Sequence, residues 1–425
     1  MNPSLISFIG LLVLFALMFL RIPISFAMFI VGFAGLLCLL PSAAVFNLLT
    51  ANVWNEFSSY SLSVIPLYIL MGEIVFRSGI SKNIFDAAYK WIGHFKGGMA
   101  ATTILASAGF AAICGSNSAT AATMSTMALP ELKKYKYNEM LSTGSIATGG
   151  TLGIIIPPST VLIIIGIFTQ QSISTLFIAS IIPGLLLVLL MILVIVYLCY
   201  RHPEYGPAGT KSTWAERIKA LVGVLPILLL FVFVIGGLYA GWFTPTESGA
   251  FGAFGAIVIT LLMRKLTWED FRAAIISTLR TSAMVMMLVV GAILFGRFLT
   301  VTRLPMIVAD YVTALPLPST MLLLIIVVVF IVGGSLMDAL GFLIIAIPVF
   351  YPTLLTLGYD PIWIGVMLCV ITSMGAITPP IGVNVFVVQG MSPSTSMVTV
   401  FKGASYFLLA YAAFIALAIL FPWII

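Results

Sequence analysis

Gly149-Gly150-Thr151-Leu152-Gly153-Ile154-Ile155-Ile156-Pro157-Pro158-Ser159-Thr160 sits inside an otherwise apolar stretch that runs from about 140 to 168. No straight helix can pass through it. Three glycines loosen the backbone, and two consecutive prolines remove amide donors and clash with the preceding turn. A second stretch of the same kind, Ser373-Met374-Gly375-Ala376-Ile377-Thr378-Pro379-Pro380, interrupts the apolar run from about 361 to 390 and is followed by Asn384. In hydrocarbon every backbone polar group needs a partner, so a helix breaks at membrane depth only where protein or a water-filled cavity covers the break. The two interruptions therefore point to a site, provided that the chain lies in a membrane.

Composition places it there. Charged residues are 8% of the 425 positions, 61% are hydrophobic, and mean hydropathy is +1.21. Apolar elements are expected at about 4–20, 24–40, 60–76, 98–130, 140–168, 173–200, 220–242, 246–263, 281–300, 320–352, 361–390 and 398–425, most of them long enough to cross hydrocarbon as a helix. The joining loops are too short for a soluble domain. Net charge is +6, but the Lys and Arg residues lie between spans, where they report topology rather than a nucleic-acid partner. Cys38, Cys114, Cys199 and Cys369 occur singly in apolar stretches and read as core packing, not as disulfides or a zinc site. The N-terminus lacks the basic start and cleavage site of a secretory signal, so the first apolar run is expected to remain, with the chain starting at Met1.

Two elements, about 98–130 and 320–352, are centred on Gly115-Ser116-Asn117-Ser118 and Gly333-Gly334-Ser335, which suit a re-entrant helical hairpin better than a straight span. Arg77, Lys82, Lys90 and Lys96 precede the first, and Lys133, Lys134 and Lys136 follow it, so both its ends should face the cytoplasm. The second has Arg303 and Asp310 before it and the uncharged run 351–359 after it and should enter from outside, with Arg297 and Arg303 as exceptions to the inside bias of the basic residues. The order of parts repeats: Gly115-Ser116 matches Gly334-Ser335 at an offset of 219, while Gly153 and Pro157-Pro158 match Gly375 and Pro379-Pro380 at 222, as if a loop insertion separated them. The expected fold is an all-α polytopic membrane protein with an inverted-topology repeat, residues 1–210 and 211–425, each half holding one hairpin and one broken helix.

Unwound turns expose carbonyl oxygens, and the nearby Ser, Thr, Asn and Asp side chains add more, a ligand set that suits a hard monovalent cation such as sodium. Half-helix N-termini leave N–H groups free and favour an anionic group. Ser159, Thr160 and Asn384 follow the breaks and are candidate substrate-binding residues. Asp338 is the one ionisable side chain near the centre of a hairpin, which marks it as functional, an N-capping role being the alternative. Ser116, Asn117 and Ser118 are candidates too, the alternative being interhelical hydrogen bonding. Glu73 and Glu247 fall at span edges and read as paired or interfacial; His94 and His202 lie in basic loops and read as solvated. The stretch 267–280 reads as an interfacial helix, a plain loop helix being the alternative.

The runs Gly115 to Thr120, Gly150 to Ser159 and Gly375 to Asn384 resemble those of the DctM-type large subunit of TRAP transporters, the tripartite ATP-independent periplasmic class, and the likeness covers essentially the whole chain. The resemblance implies sodium-driven import of an organic acid across the bacterial inner membrane by an elevator-type motion of a transport domain against a scaffold. It implies two partners, a small four-helix membrane subunit and a periplasmic substrate-binding protein, with the bilayer around them and no organic cofactor. By the same likeness one sodium site falls to Ser116, Ser118, Gly153, Ile156 and Pro158, a second to Gly334, Asp338, Gly375 and Thr378, and substrate lies between the hairpin tips, near Asn117. Sialic acid is the preferred substrate, with a C4-dicarboxylate or another organic acid as the alternative.

Other classes fit less well. An intramembrane aspartyl protease needs two facing aspartates, and only Asp338 is central. A primary pump needs a phosphate loop of the GxxxxGK[ST] type, which is absent from the sequence. A stand-alone sodium/anion carrier, without a binding protein, stays open on the residues alone.

Overall fold

A computed structural model of the chain describes residues 3–20 and 22–425, and every regular element among them is helical. The expected start at Met1 lies outside the described residues. The first hairpin has arms Gly98–Cys114 and Asn117–Lys134. Gly115, at φ +63°, turns the chain in a conformation that a side chain would disfavour, and a Cβ there would also lie 2.7 Å from the Pro158 carbonyl oxygen. Both ends of this hairpin are tied to one loop: the Gly97 amide donates to Gly206 O at 2.8 Å and the Asn138 amide to Tyr205 O at 2.9 Å. The arms therefore enter and leave on the same side.

The second hairpin has arms Ser319–Leu336 and Ala339–Thr356. Near its base the Tyr351 hydroxyl accepts from Gln171 Nε2 at 3.4 Å. Gln171 and Tyr205 flank the 29-residue span Ile173–Arg201, about 43 Å long at 1.5 Å per residue. The bases of the two hairpins thus lie at opposite ends of the same span.

The tips correct the repeat register read from the sequence. Ser116 N-caps Asn117–Lys134 and Asp338 N-caps Ala339–Thr356, each from an extended backbone. Asp338, not Ser335, is the counterpart of Ser116. Their separation, 222 positions, equals that between Gly153 and Gly375 and between the two Pro-Pro pairs, so no insertion is needed. The Gly-Ser match at 219 was a coincidence of composition, since small residues recur on packed membrane helices.

Each hairpin is followed by a broken helix. Glu139–Thr151 tightens into a 3₁₀ turn at Leu152–Ile154 and restarts as Thr160–Thr169. Pro361–Gly375 stops and restarts as Val383–Met391. Both Pro-Pro peptide bonds are cis.

Eight of the described helices are long and apolar enough to cross a membrane, among them Ile173–Arg201, Trp214–Tyr239 and Pro245–Leu262. Helices Ile24–Leu39 and Trp268–Val301 cross at glycines: a Cβ on Gly32 would lie 2.7 Å from the Leu294 backbone, and one on Gly291 2.3 Å from Ser25 O. Trp54, Trp214, Trp242, Trp268 and Trp423 are exposed near helix ends, where tryptophan suits a headgroup region.

Three expectations change. Residues 268–280 do not form a separate interfacial helix but the first turns of the 34-residue helix Trp268–Val301, because neither Gly nor Pro interrupts the run before Gly291. Of the cysteines, Cys199 and Cys369 are buried, but Cys38 is exposed and Cys114 is only half-buried. His94 is not freely solvated: its Nδ1 is buried without a hydrogen-bond partner among the described residues and its ring packs edge-on against Phe95. Helices Ser42–Phe57, Ile80–Ile92 and Leu304–Thr313 went unread in the sequence because their apolar runs are short.

Candidate substrate and cation site

The two hairpin tips, far apart in sequence, open on a single cavity of about 460 Å³. One wall consists of helix beginnings: Ser116, Asn117, Ser118 and Ala119 of the first tip, Asp338, Ala339 and Leu340 of the second, and Thr160 and Val161 of the restarted broken helix. The other wall belongs to the helices Val64–Arg77 and Trp268–Val301, through Gly72, Glu73, Thr281 and Met284. Three helix N-termini, each carrying partial positive charge, therefore face one space. Asn117 is 4% exposed; its Oδ1 accepts from the Ser118 amide at 2.8 Å, while its Nδ2 has no partner among the described residues. That donor fits a carboxylate or hydroxyl oxygen in the cavity.

Around the first tip the chain is packed backbone to backbone. A Cβ on Gly153 would sit 2.3 Å from Ser116 O and 2.7 Å from Thr120 Oγ1, so only glycine lets the first break approach the tip. Thr160 Oγ1 donates to Gly115 O at 3.0 Å and Thr120 Oγ1 to Ser116 O at 2.7 Å. Ser116, Ser118, Gly153 and Pro158 thus lie within one neighbourhood. Ile156 faces the other way: its side chain borders a second, apolar cavity, which leaves only its backbone for the site. Ser159 does not reach the cavity between the tips. Fully buried, it donates to Ile154 O at 2.6 Å and accepts from the Leu162 amide at 3.3 Å as the N-cap of Thr160–Thr169.

Around the second tip the packing is similar. A Cβ on Gly375 would lie 2.6 Å from the Gly334 carbonyl carbon, and one on Gly334 2.8 Å from Thr372 O. The Gly382 amide donates to Ser335 O at 3.0 Å, and Thr378 Oγ1 donates to Met374 O at 2.8 Å. Asp338 is exposed toward the cavity and its Oδ2 accepts from the Leu340 amide at 3.2 Å, so it caps a helix and lines the cavity at once. Asn384 is elsewhere: fully buried, it donates through Nδ2 to Ala147 O at 3.1 Å, and its Oδ1 has no partner among the described residues.

Sequence reading missed Tyr411. Its hydroxyl, fully buried, donates to Thr151 Oγ1 at 2.6 Å and lies 3.0 Å from Ser373 Oγ, joining the two helices just before they break. Nothing in its flank, Leu-Ala-Tyr-Ala-Ala, distinguishes it from a packed span residue. Glu73, read as paired, does pair with Arg77 at 3.1 Å and accepts from Ser277 at 2.6 Å, but it also lines the cavity. Glu247 completes a capping box with Thr244.

Residues 11–424 match the family described as the tripartite ATP-independent periplasmic transporter, DctM component. Among curated relatives, the C4-dicarboxylate TRAP transporter large permease protein DctM of Pseudomonas aeruginosa is 33% identical over 347 residues, 81% of this chain and 80% of that protein. The 2,3-diketo-L-gulonate large permease YiaN of Escherichia coli is 34% identical, covering 87% of each chain, and the sialic acid large permease SiaM of Vibrio cholerae is 28% identical, covering 96% and 94%. In fold the chain is similar to the YdaH transporter of Alcanivorax borkumensis, with a TM-score of 0.64 at 16% identity, covering 91% of this chain and 90% of that one. The chain belongs to the DctM family of TRAP transporters, as a multi-pass inner-membrane permease subunit and not an enzyme.

Proposed function

We infer that this subunit moves an organic acid across the inner membrane, driven by sodium entry, with the acid bound in the cavity between the hairpin tips. The observation that carries this reading is the convergence of three helix N-termini and of Asn117 Nδ2, unpartnered among the described residues, on one space whose described lining holds no lysine or arginine. A carboxylate placed there takes its hydrogen bonds from amides and its compensation from helix dipoles. The turns behind the tips offer carbonyl and hydroxyl oxygens, and no group of three or more His, Cys, Asp or Glu occurs among the described residues, a donor set that favours sodium over a transition metal. Cations bound behind each tip would neutralise the carbonyl ends and hold the tips in the shape that receives the acid.

The cavity has one wall of tips and broken helices and another of two long helices, a division that suits a transport domain sliding against a scaffold. A small membrane subunit and a periplasmic binding protein complete the complex in this reading, as the family description implies. The substrate is an organic acid. Relatives named for C4-dicarboxylates and diketogulonate are as similar as, or more similar than, the one named for sialic acid, so similarity lends the sialic acid preference no support.

The test is uptake into proteoliposomes holding this chain and its small subunit, with labelled succinate, diketogulonate and sialic acid in turn. Uptake of one of them that requires both an inward sodium gradient and the binding protein supports the whole reading. Sodium-driven uptake without the binding protein would assign the chain to stand-alone carriers, and uptake indifferent to sodium would remove the coupling ion.

A further inference from the structure

Behind the first tip lies a second cavity of about 630 Å³, walled by apolar side chains. On the helix Trp214–Tyr239 its wall includes Leu221, Val224, Leu228 and Phe231, spaced three and four apart and so on one face. Opposite stand Ala108, Gly109 and Ala112 of the first hairpin, too small to bridge the gap. The slot opens outward, with Leu185, Leu221 and Leu228 exposed on it, and leaves a contiguous apolar surface for hydrocarbon to cover.

The occupant's other end is indicated at the mouth. Arg217 lies four residues before Leu221, hence one turn further along the same face. Its guanidinium stands 5.1 Å from the Trp214 ring centre and 6.0 Å from that of Trp91, which itself borders the cavity. Arg217 Nε is buried with no hydrogen-bond partner among the described residues, and the adjacent Glu216 pairs instead with Lys90 at 3.6 Å. Lys96, Lys211 and Lys219 surround this end, which the charge bias assigns to the cytoplasmic face, where anionic lipids concentrate. From Arg217 to Phe231 the helix rises about 21 Å, the depth of one leaflet with its headgroups.

We propose that this cavity holds an acyl chain of an anionic phospholipid of the inner leaflet, whose phosphate takes a charge-assisted hydrogen bond from Arg217. A guanidinium stacked near two tryptophans, its Nε without a partner among the described residues, stands above an apolar slot and matches a phosphate joined to a hydrocarbon chain. The chain end reaches Pro157, directly behind the first break. Hydrocarbon, not protein contact, then separates the first hairpin from the helix Trp214–Tyr239.

The test uses the full chain, alone and together with its small subunit, delipidated and offered dioleoyl phosphatidylglycerol or dioleoyl phosphatidylcholine, with bound lipid counted by native mass spectrometry. Wild type is expected to keep phosphatidylglycerol in preference to phosphatidylcholine. Arg217→Gln should lower that retention about ten-fold and Arg217→Lys largely restore it. Ala108→Phe, which fills the slot, should abolish retention of both lipids and decides the matter if Arg217→Gln does not fold. Equal retention of the two lipids by wild type, or undiminished retention by Ala108→Phe, overturns the proposal. So does loss of bound lipid whenever the small subunit is present, which would give the cavity to that chain.

Discussion

Thr151 and Ser373, 222 positions apart, share one hydrogen-bond partner: the Tyr411 hydroxyl donates to Thr151 Oγ1 at 2.6 Å and lies 3.0 Å from Ser373 Oγ. The two residues hold equivalent places in the two broken helices, each just before its unwound turn, so one buried phenol ties both breaks together. Thr151 and Ser373 also donate to Thr148 O and Val370 O, so neither hydroxyl is stranded when the phenol is removed. Tyr411→Phe is therefore expected to fold, with about 1–2 kcal/mol less stability. Uptake should also need a higher sodium concentration, because the breaks no longer hold one another. Thermal melting and a sodium titration of uptake check the two parts; a melting shift with unchanged sodium dependence would leave Tyr411 a merely structural residue.

Asp338 both caps a helix and lines the cavity, and the two roles separate by substitution. Asparagine caps a helix about as well as aspartate, whereas alanine forfeits about 1 kcal/mol of capping. Asp338→Asn is expected to melt like wild type yet lose sodium-driven uptake, and Asp338→Ala to lose both uptake and some stability. Normal sodium-dependent uptake by Asp338→Asn would show that the charge is dispensable.

The glycines at the breaks tolerate no side chain. Gly153→Ala and Gly375→Ala each force a backbone carbonyl to move, by the contacts of 2.3 and 2.6 Å given above, and should abolish uptake. Gly236, within Trp214–Tyr239, has nothing within 4 Å of its would-be Cβ, and Gly236→Ala should leave uptake unchanged. Equal effects from all three substitutions would mean that tip packing does not set activity.

Whether the tips move can be tested at Ala119, which is exposed on the cavity. Cys114 borders the same cavity and Cys38 is exposed, so the experiment needs Ala119→Cys in a Cys38→Ala, Cys114→Ala background. Labelling by a membrane-impermeant maleimide is expected to change side when sodium and substrate are added. A labelling rate that no condition alters would count against a moving transport domain.

Much of this protein was legible in its sequence. The breaks at Gly153 to Pro158 and Gly375 to Pro380 are covalent facts, because proline lacks an amide proton wherever it stands, and hydropathy marked the chain as a multi-pass membrane protein. Glycine spacing likewise announced two hairpins, since neither centre could remain a straight span.

What the tertiary structure alone decided was which breaks meet and which polar groups face the meeting point. Ser159 and Asn384 flank the breaks as closely as Thr160 does, yet both turn into the core, and only Thr160 borders the cavity. Asp338 rather than Ser335 took the place opposite Ser116 because capping depends on where the helix begins, which composition alone did not settle. Tyr411 carries no local signal at all; its role comes from two helices that cross beside it. Local chemistry determines where a chain must bend, but contacts between residues hundreds of positions apart depend on packing, and packing is a property of the whole fold.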